Sequence, residues 1–334
     1  MNGNTGKPAK GPGLIDHRVL DGWQALAETF RSARPFRHVV IDGFFEPAFC
    51  REICAQFPAF EDKAAINENN EVGGKATQEH VRSLGPAFKS LDDLVKSASF
   101  RDLISRISGI PDLQYDPYYF GGGTHENRQG QELDPHVDFN YHPISRQHRR
   151  LNLIVYLNEE WQDEWGGSIQ LHRDPYREPA KDEIVTVTPL MNRCVIFETT
   201  EHSWHGFERI DLPEDMRHRT RRSFALYFYT TERPVEELAG EHSTIDVERH
   251  LPGHIQAGEV LGEKDLEEIK RLIARRDQHL KRLYGRINSL TGDLAERRED
   301  SMVEALKRRI YEFEHSTSWR VTAPLRAFRS WFKR

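Results

Sequence analysis

Gly130-Gln131-Glu132-Leu133-Asp134-Pro135-His136-Val137-Asp138-Phe139 is the stretch on which the fold turns. Gly130 to Pro135 read as a turn that delivers the chain into an extended segment, Pro135–Phe139. Two residues apart on a strand, His136 and Asp138 point to the same face. Val137 and Phe139 flank Asp138, and a carboxylate among apolar neighbours is costly to bury unless a cation pairs with it. The pair is either a polar, solvated strand end or one side of a metal site.

Outward from this segment, residues 112–231 carry strand-like periodicity. Candidate strands are Leu113–Phe120, Pro135–Phe139, Leu151–Leu157, Ser168–His172, Ile184–Thr188, Cys194–Glu198, Ser203–Phe207 and Ser223–Tyr229. Short strands separated by Gly and Pro predict a β-sandwich or jelly roll. Upstream the pattern is helical. Leu20, Trp23, Leu26 and Phe30 mark a helix within residues 14–33. Arg37–Phe45 reads as a strand, Pro47–Phe57 as a helix, and residues 61–80 as a polar loop. Two further helices are expected near 87–97 and 99–108, the second stopped by Gly109-Ile110-Pro111. The fold expected is mainly β with flanking α: a double-stranded β-helix (jelly roll) supported by N-terminal helices and followed by a C-terminal coiled-coil helix.

His205, in Ser203-Trp204-His205-Gly206, follows the apolar strand that begins at Cys194, and folding can return it to the face of His136 and Asp138. His202 competes for the same role. His205 is preferred because Gly206 follows it and His202 lies on the exposed approach Thr200-Glu201. Two imidazoles and one carboxylate on one side of a metal suit ferrous iron, leaving positions open for a cosubstrate and O₂.

His136, Asp138 and His205 together resemble the HxD…H triad of the 2-oxoglutarate/Fe(II) oxygenases, in particular the prolyl-4-hydroxylase-like branch. The resemblance spans roughly residues 36–231. Tyr156-Leu157-Asn158, then Trp161 and Gly166-Gly167, looks like the family's YLN…W…GG segment. Asn192–Phe197 looks like its strand before the distal histidine. The resemblance implies a dioxygenase that uses Fe(II), 2-oxoglutarate and O₂, with ascorbate as reductant, and hydroxylates a C–H bond. A halogenase needs the carboxylate position free for a halide, so Asp138 favours hydroxylation.

A cation beyond the distal histidine is needed to pair with the far carboxylate of 2-oxoglutarate. Arg221 and Arg222 are the candidates. Strand alternation puts Arg221 with Ser223, Ala225 and Tyr227, and Arg222 with Phe224, Leu226 and Phe228. Small residues leave room for a ligand, so Arg221 is the expected anchor. Tyr156, as the resemblance implies, and Tyr119 on an earlier strand are candidate hydroxyl partners of the same carboxylate.

From about residue 264 the pattern changes again. Leu266, Ile273, Leu280, Ile287 and Leu294 recur every seven residues. Ile269, Leu283 and Leu290 form a second stripe, with Arg276 its polar exception. The register slips after Leu294 and resumes at Val303, Leu306, Ile310 and Phe313. This is a coiled-coil pattern and predicts a homo-oligomer; the alternative is one amphipathic helix lying on the catalytic domain. Ser318-Trp319-Arg320-Val321-Thr322-Ala323-Pro324-Leu325-Arg326 resembles a short motif near the ends of bacterial glycosyltransferases and other surface-polysaccharide enzymes. Beyond it, Phe328, Trp331 and Phe332 interleave with Arg329, Lys333 and Arg334, a composition that suits an anionic membrane surface or a frayed terminus.

The expected organisation is a disordered 1–13, an oxygenase domain 14–235, a linker 236–263, a coiled coil 264–315 and a basic aromatic tail 316–334. A net charge of −6 argues against nucleic-acid binding. Three cysteines give no disulfide framework, as in a reducing compartment; Cys50 and Cys54, one helical turn apart, read as small buried residues rather than a redox pair. No signal peptide is read at the start and no apolar run is long enough to span a bilayer. The expectation is a cytoplasmic enzyme, peripheral at the inner face of the membrane, acting on a small-molecule, glycan or peptide substrate. Two other classes compete: a coiled-coil adaptor of a polysaccharide assembly complex with a degenerate oxygenase domain, and a cupin-type isomerase, which would offer the metal more histidines and a glutamate.

Overall fold

The computed structural model describes residues 13–60 and 76–331, without the side chains of 299 and 329–331. All but the last residue of the stretch 1–13 expected to be disordered, most of the loop read at 61–80, and Phe332, Lys333 and Arg334 lie outside the described residues. The chain divides into two compact units, Met1–Gly253 and His254–Arg334.

In the first unit, α1 (His17–Asp21) and α2 (Trp23–Ser32) stand where one helix is expected, with Gly22 serving both ends. β1 (His38–Asp42) and α3 (Pro47–Ala55) follow. β2 (Ala76–Gln78) is a strand inside the stretch read as loop. α4 (Pro86–Lys96) and α5 (Ala98–Ser108) come next, and Gly109, left-handed at φ 72°, closes α5.

Leu113–Phe120 is not a strand. Only Gln114 forms a bridge there, with Tyr229. Pro117 cannot donate to a ladder, and the Asp116 carboxylate accepts the N–H groups of Tyr118 and Phe120 at 2.9 Å each. The strand is β3 (Gly123–Asn127), whose sequence Gly-Thr-His-Glu-Asn has no apolar alternation to reveal it. The remaining strands fall at or near their expected places: β4 (Leu133–Val137), β5 (His148–Tyr156), β6 (Ile169–His172), β7 (Ile184–Val187), β8 (Arg193–Glu198), β9 (Trp204–Phe207) and β10 (Arg221–Thr230). The stretch 236–263, expected as linker, supplies β11 (Ile245–Asp246), which pairs with β4; Val247 packs on Val137 and Trp204.

Two sheets result, one of six strands in the order β1-β8-β5-β10-β3-β2 and one of five in the order β11-β4-β9-β6-β7, all neighbours antiparallel. This is the jelly roll. β5 shows how: both of its faces are buried, and residues 153–156 form a continuous apolar run. Leu151, Leu153 and Val155 point outward into the core shared with the helices, where Phe88 meets Phe224 and Phe100 meets Phe228 at ring separations of 6.1 and 6.4 Å. Ile154 and Tyr156 point inward toward the small sheet. Each fully buried Leu, Val or Phe contributes about 1.5–3 kcal/mol, which makes the helical layer the platform of the large sheet.

In the second unit, α6 (Glu263–Glu314) is one helix of 52 residues, followed by α7 (Thr317–Val321) and α8 (Ala323–Trp331). Ser316 caps α7 by accepting the Trp319 N–H at 3.3 Å, and Arg326 lies over the Trp319 ring at 3.5 Å. No helix among the described residues is long and apolar enough to cross a membrane.

Candidate metal and cosubstrate site

Pairing of β4 with β9 sets His136 opposite His205. Their close approach needs Gly206: a Cβ there would lie 2.6 Å from the Leu133 carbonyl oxygen and 2.8 Å from Asp134. No other residue fits. The two imidazole rings are 4.3 Å apart. Asp138, just past β4, completes the group, with Oδ1 3.8 Å from His136 Nε2 and Oδ2 3.6 Å from His205 Nε2. His202 is exposed and stands outside this cluster.

The donor set fits a metal. His136 Nδ1 lies 2.8 Å from the Asp134 carbonyl and His205 Nδ1 2.9 Å from the Ser203 carbonyl. Each Nδ1–H therefore donates to backbone, leaving both Nε2 lone pairs aimed at the carboxylate. All three donor atoms lie within 4.8 Å of one another. Burial, reinforced by the neighbouring His136, lowers His205 to about 3, so it stays neutral. Burial alone would raise Asp138; Arg149, then the two imidazoles and the Asn152 amide, outweigh it and hold the carboxyl below its usual range. Two imidazoles and a carboxylate with open positions are a set for ferrous iron.

The same cavity continues past the triad to Arg221, Tyr156, Asn127, Ser223 and Tyr227. Arg221 is buried. Its Nε donates to the Gly167 carbonyl at 2.6 Å, Nη1 to Asn127 Oδ1 and Nη2 to the Tyr156 hydroxyl, both at 3.3 Å. Every one of these partners is neutral. A buried guanidinium without an anion is expensive unless a ligand supplies one. Burial lowers Arg221 and raises Tyr156.

The Gly166-Gly167 pair makes this arrangement possible. A Cβ at Gly166 would lie 2.0 Å from the Arg209 carbonyl oxygen, and one at Gly167 3.1 Å from Arg221 Cδ. Asn158 fixes the start of β10, accepting the Arg222 N–H at 2.6 Å and donating to the Arg222 carbonyl at 3.0 Å.

Arg222 faces the other way, its Nε donating to Glu126 at 2.9 Å. Tyr119 does not reach the cavity. Its hydroxyl donates to buried Asp92 at 2.8 Å, because residues 113–120 form a loop packed on α4 instead of a strand. Two residues passed over in the sequence sit against the triad. Arg149, fully buried, is 3.0 Å from Asp138 Oδ2, and Asn152 Nδ2 donates to that oxygen at 2.7 Å. The Arg149 guanidinium also lies 3.6 Å from the Tyr227 ring and 4.5 Å from Phe139. Asn152, polar within the apolar run of β5, was the one signal available.

Residues 122–229 match the model of the 2OG-Fe(II) oxygenase superfamily. No curated protein matches the chain. Among solved structures, the chain is similar to a prolyl 4-hydroxylase from Phytophthora capsici (19% identity, 80% of this chain and 79% of that one, TM-score 0.43). It is similar to a Pseudomonas putida prolyl-4-hydroxylase (16% identity, 62% and 98%, TM-score 0.41). It is also similar to the non-heme alpha ketoglutarate dependent epimerase SnoN from nogalamycin biosynthesis (14% identity, 63% and 84%, TM-score 0.43). The segment 122–229 belongs to the 2OG-Fe(II) oxygenase superfamily, and the chain that carries it is a 2-oxoglutarate-dependent oxygenase.

Proposed function

We propose that this enzyme hydroxylates a C–H bond, with His136, Asp138 and His205 holding iron and Arg221 and Tyr156 holding the far carboxylate of 2-oxoglutarate. The observation that carries the reading is Arg221: a buried cation whose hydrogen-bond partners among the described residues are neutral, in the same cavity as the three donors. Ferrous iron with 2-oxoglutarate and O₂ supplies the oxidising chemistry, releasing succinate and CO₂; ascorbate keeps the iron reduced.

The chain's own residues do the rest. The Asp134 and Ser203 carbonyls fix the imidazole tautomers. Asn152 and Arg149 occupy one Asp138 oxygen and leave the other for the metal. The guanidinium of Arg221 and the hydroxyl of Tyr156 orient a dicarboxylate lengthwise in the cavity. Asp138 fills the position a halide would need, which favours hydroxylation.

A role in cell-surface glycan assembly, on a glycan or lipid-linked substrate, rests on the tail motif 318–326 and its basic aromatic surroundings; a peripheral place at the membrane rests on the same residues. Self-association through α6 is part of the same reading. The test is turnover of 2-oxoglutarate to succinate by purified protein with Fe(II) and ascorbate. No succinate from the wild type, or the same yield from Asp138→Ala, sinks the assignment. Mass spectrometry of glycans and proteins from a deletion strain, searching for a missing oxygen atom, would name the substrate.

A further inference from the structure

The apolar stripe of α6 is uncovered among the described residues from Leu280 to Leu294. Leu280, Leu283, Ile287, Leu290 and Leu294 are between 46% and 59% exposed, and upstream Leu266 and Ile273 are exposed while Ile269 is half-buried. A helix that leaves such a seam in water gains nothing from it unless another helix covers it. In heptad terms Leu266, Ile273, Leu280, Ile287 and Leu294 occupy a, and Ile269, Arg276, Leu283 and Leu290 occupy d.

We infer that the occupant is a second copy of this chain, and that the two α6 helices pair parallel and in register over residues 265–298. This builds on the reading that α6 self-associates and fixes partner, number and direction. Flanking charges decide the register. In a parallel pair each g residue faces the e residue five positions on in the other helix. In register, Asp293 meets Arg298, twice by symmetry; Asp265, also at g, is already held by the Gly262 N–H at 2.9 Å and by His254 at 2.8 Å. The other g–e pairs, Leu272–Asp277, His279–Tyr284 and Arg286–Thr291, bring no like charges together. A slip of one heptad removes the Asp293–Arg298 attraction and sets Arg286 against Arg298.

Arg276 decides the number. At d of a two-stranded coil its guanidinium can leave the seam toward Asp277 of the other helix. In the closed core of a three- or four-stranded bundle it would be buried without an anion. The a and d residues do not set the number by themselves: Ile287 at a beside Leu283 and Leu290 at d suits two strands, while Leu266 at a with Ile269 at d suits more, so Arg276 carries the choice.

The experiment uses the full-length protein. Sedimentation equilibrium at micromolar concentration should give a dimer. The single change Leu280→Asp should give a folded monomer that still turns over 2-oxoglutarate. Ile287 and the rest of the seam stay unchanged in that variant, so loss of the dimer is read from one position. Asp293→Arg and Arg298→Asp should each weaken the dimer about tenfold, and mixing the two variants should restore it as a heterodimer. Leu294→Cys should cross-link to its own copy on oxidation, as only a parallel pair allows so far from the middle of the seam. A monomeric wild type overturns self-association altogether. A trimer, or a dimer in which Leu294→Cys does not cross-link or the charge variants do not rescue each other, overturns this arrangement and leaves self-association standing.

Discussion

The Arg149 guanidinium lies 3.0 Å from Asp138 Oδ2, and the Asn152 amide donates to the same oxygen at 2.7 Å. One carboxylate oxygen is thereby committed to nitrogen donors, and the other faces His136 Nε2 at 3.8 Å. Groups that orient a metal ligand typically contribute about 10- to 100-fold in metal affinity. Arg149→Gln should therefore weaken Co(II) binding, read by chelator competition, by about that factor. Arg149→Lys should recover only part of it, because an ammonium cannot reach Asp138 and Asn152 together as the fork does. Unchanged affinity in Arg149→Gln would refute the role.

Arg221 and Arg222 are neighbours with opposite expectations. Arg221→Ala should raise the KM for 2-oxoglutarate by roughly 100-fold, the scale of breaking a buried charged pair. Arg222→Ala removes a partner of Glu126 outside the cavity and should leave that KM within about twofold. The tyrosines divide the same way. Tyr156→Phe should raise the KM. Tyr119→Phe should leave it alone and cost about 1 kcal/mol of stability through the lost bond to Asp92. A KM shift in Tyr119→Phe would contradict the geometry.

Loading the site should stabilise the fold. Co(II) at about 100 times its dissociation constant should add about 2.7 kcal/mol, read as a rise in Tm. His205→Ala should abolish the rise, and His202→Ala should keep it, since His202 is exposed and apart from the triad. The reverse result would transfer the ligand role to His202.

Stability should also fall in mild acid. Burial holds His38 and His172 below the ordinary imidazole value, against the opposing pull of the Phe36 carbonyl and of Asp182. Such a group binds its proton more weakly folded than unfolded. The stability this confers is intact above the unfolded value of about 6.5 and is lost progressively as pH falls below it toward the lowered folded value. The Tm of wild type should drop between about pH 7.5 and 5.5, and the double variant His38→Asn/His172→Asn should drop less. Equal slopes would show that neither histidine is responsible.

The jelly roll was legible because β5, β8 and β10 are buried on both faces and carry the apolar runs 153–156, 194–197 and 224–229. The HxD pair was legible because strand alternation is local, and the choice of Arg221 over Arg222 follows from the same alternation. β3 was not legible: its five residues are all buried, yet its side chains are polar or absent because it borders the cavity. Tyr119 misled because an aromatic run looks like a strand until Asp116 and Pro117 turn it into a loop. Arg149 was hidden because nothing local distinguishes a buried arginine from an exposed one.

Sequence alone determined the period of most segments, hence most strands of the two sheets, the long helix and which side chains share a face. Tertiary structure decided which distant faces meet: His205 opposite His136, Arg149 against Asp138, the Tyr119 hydroxyl on Asp92. Periodicity is set by backbone geometry over a few residues, whereas those meetings depend on strand register and on packing between segments far apart in the chain.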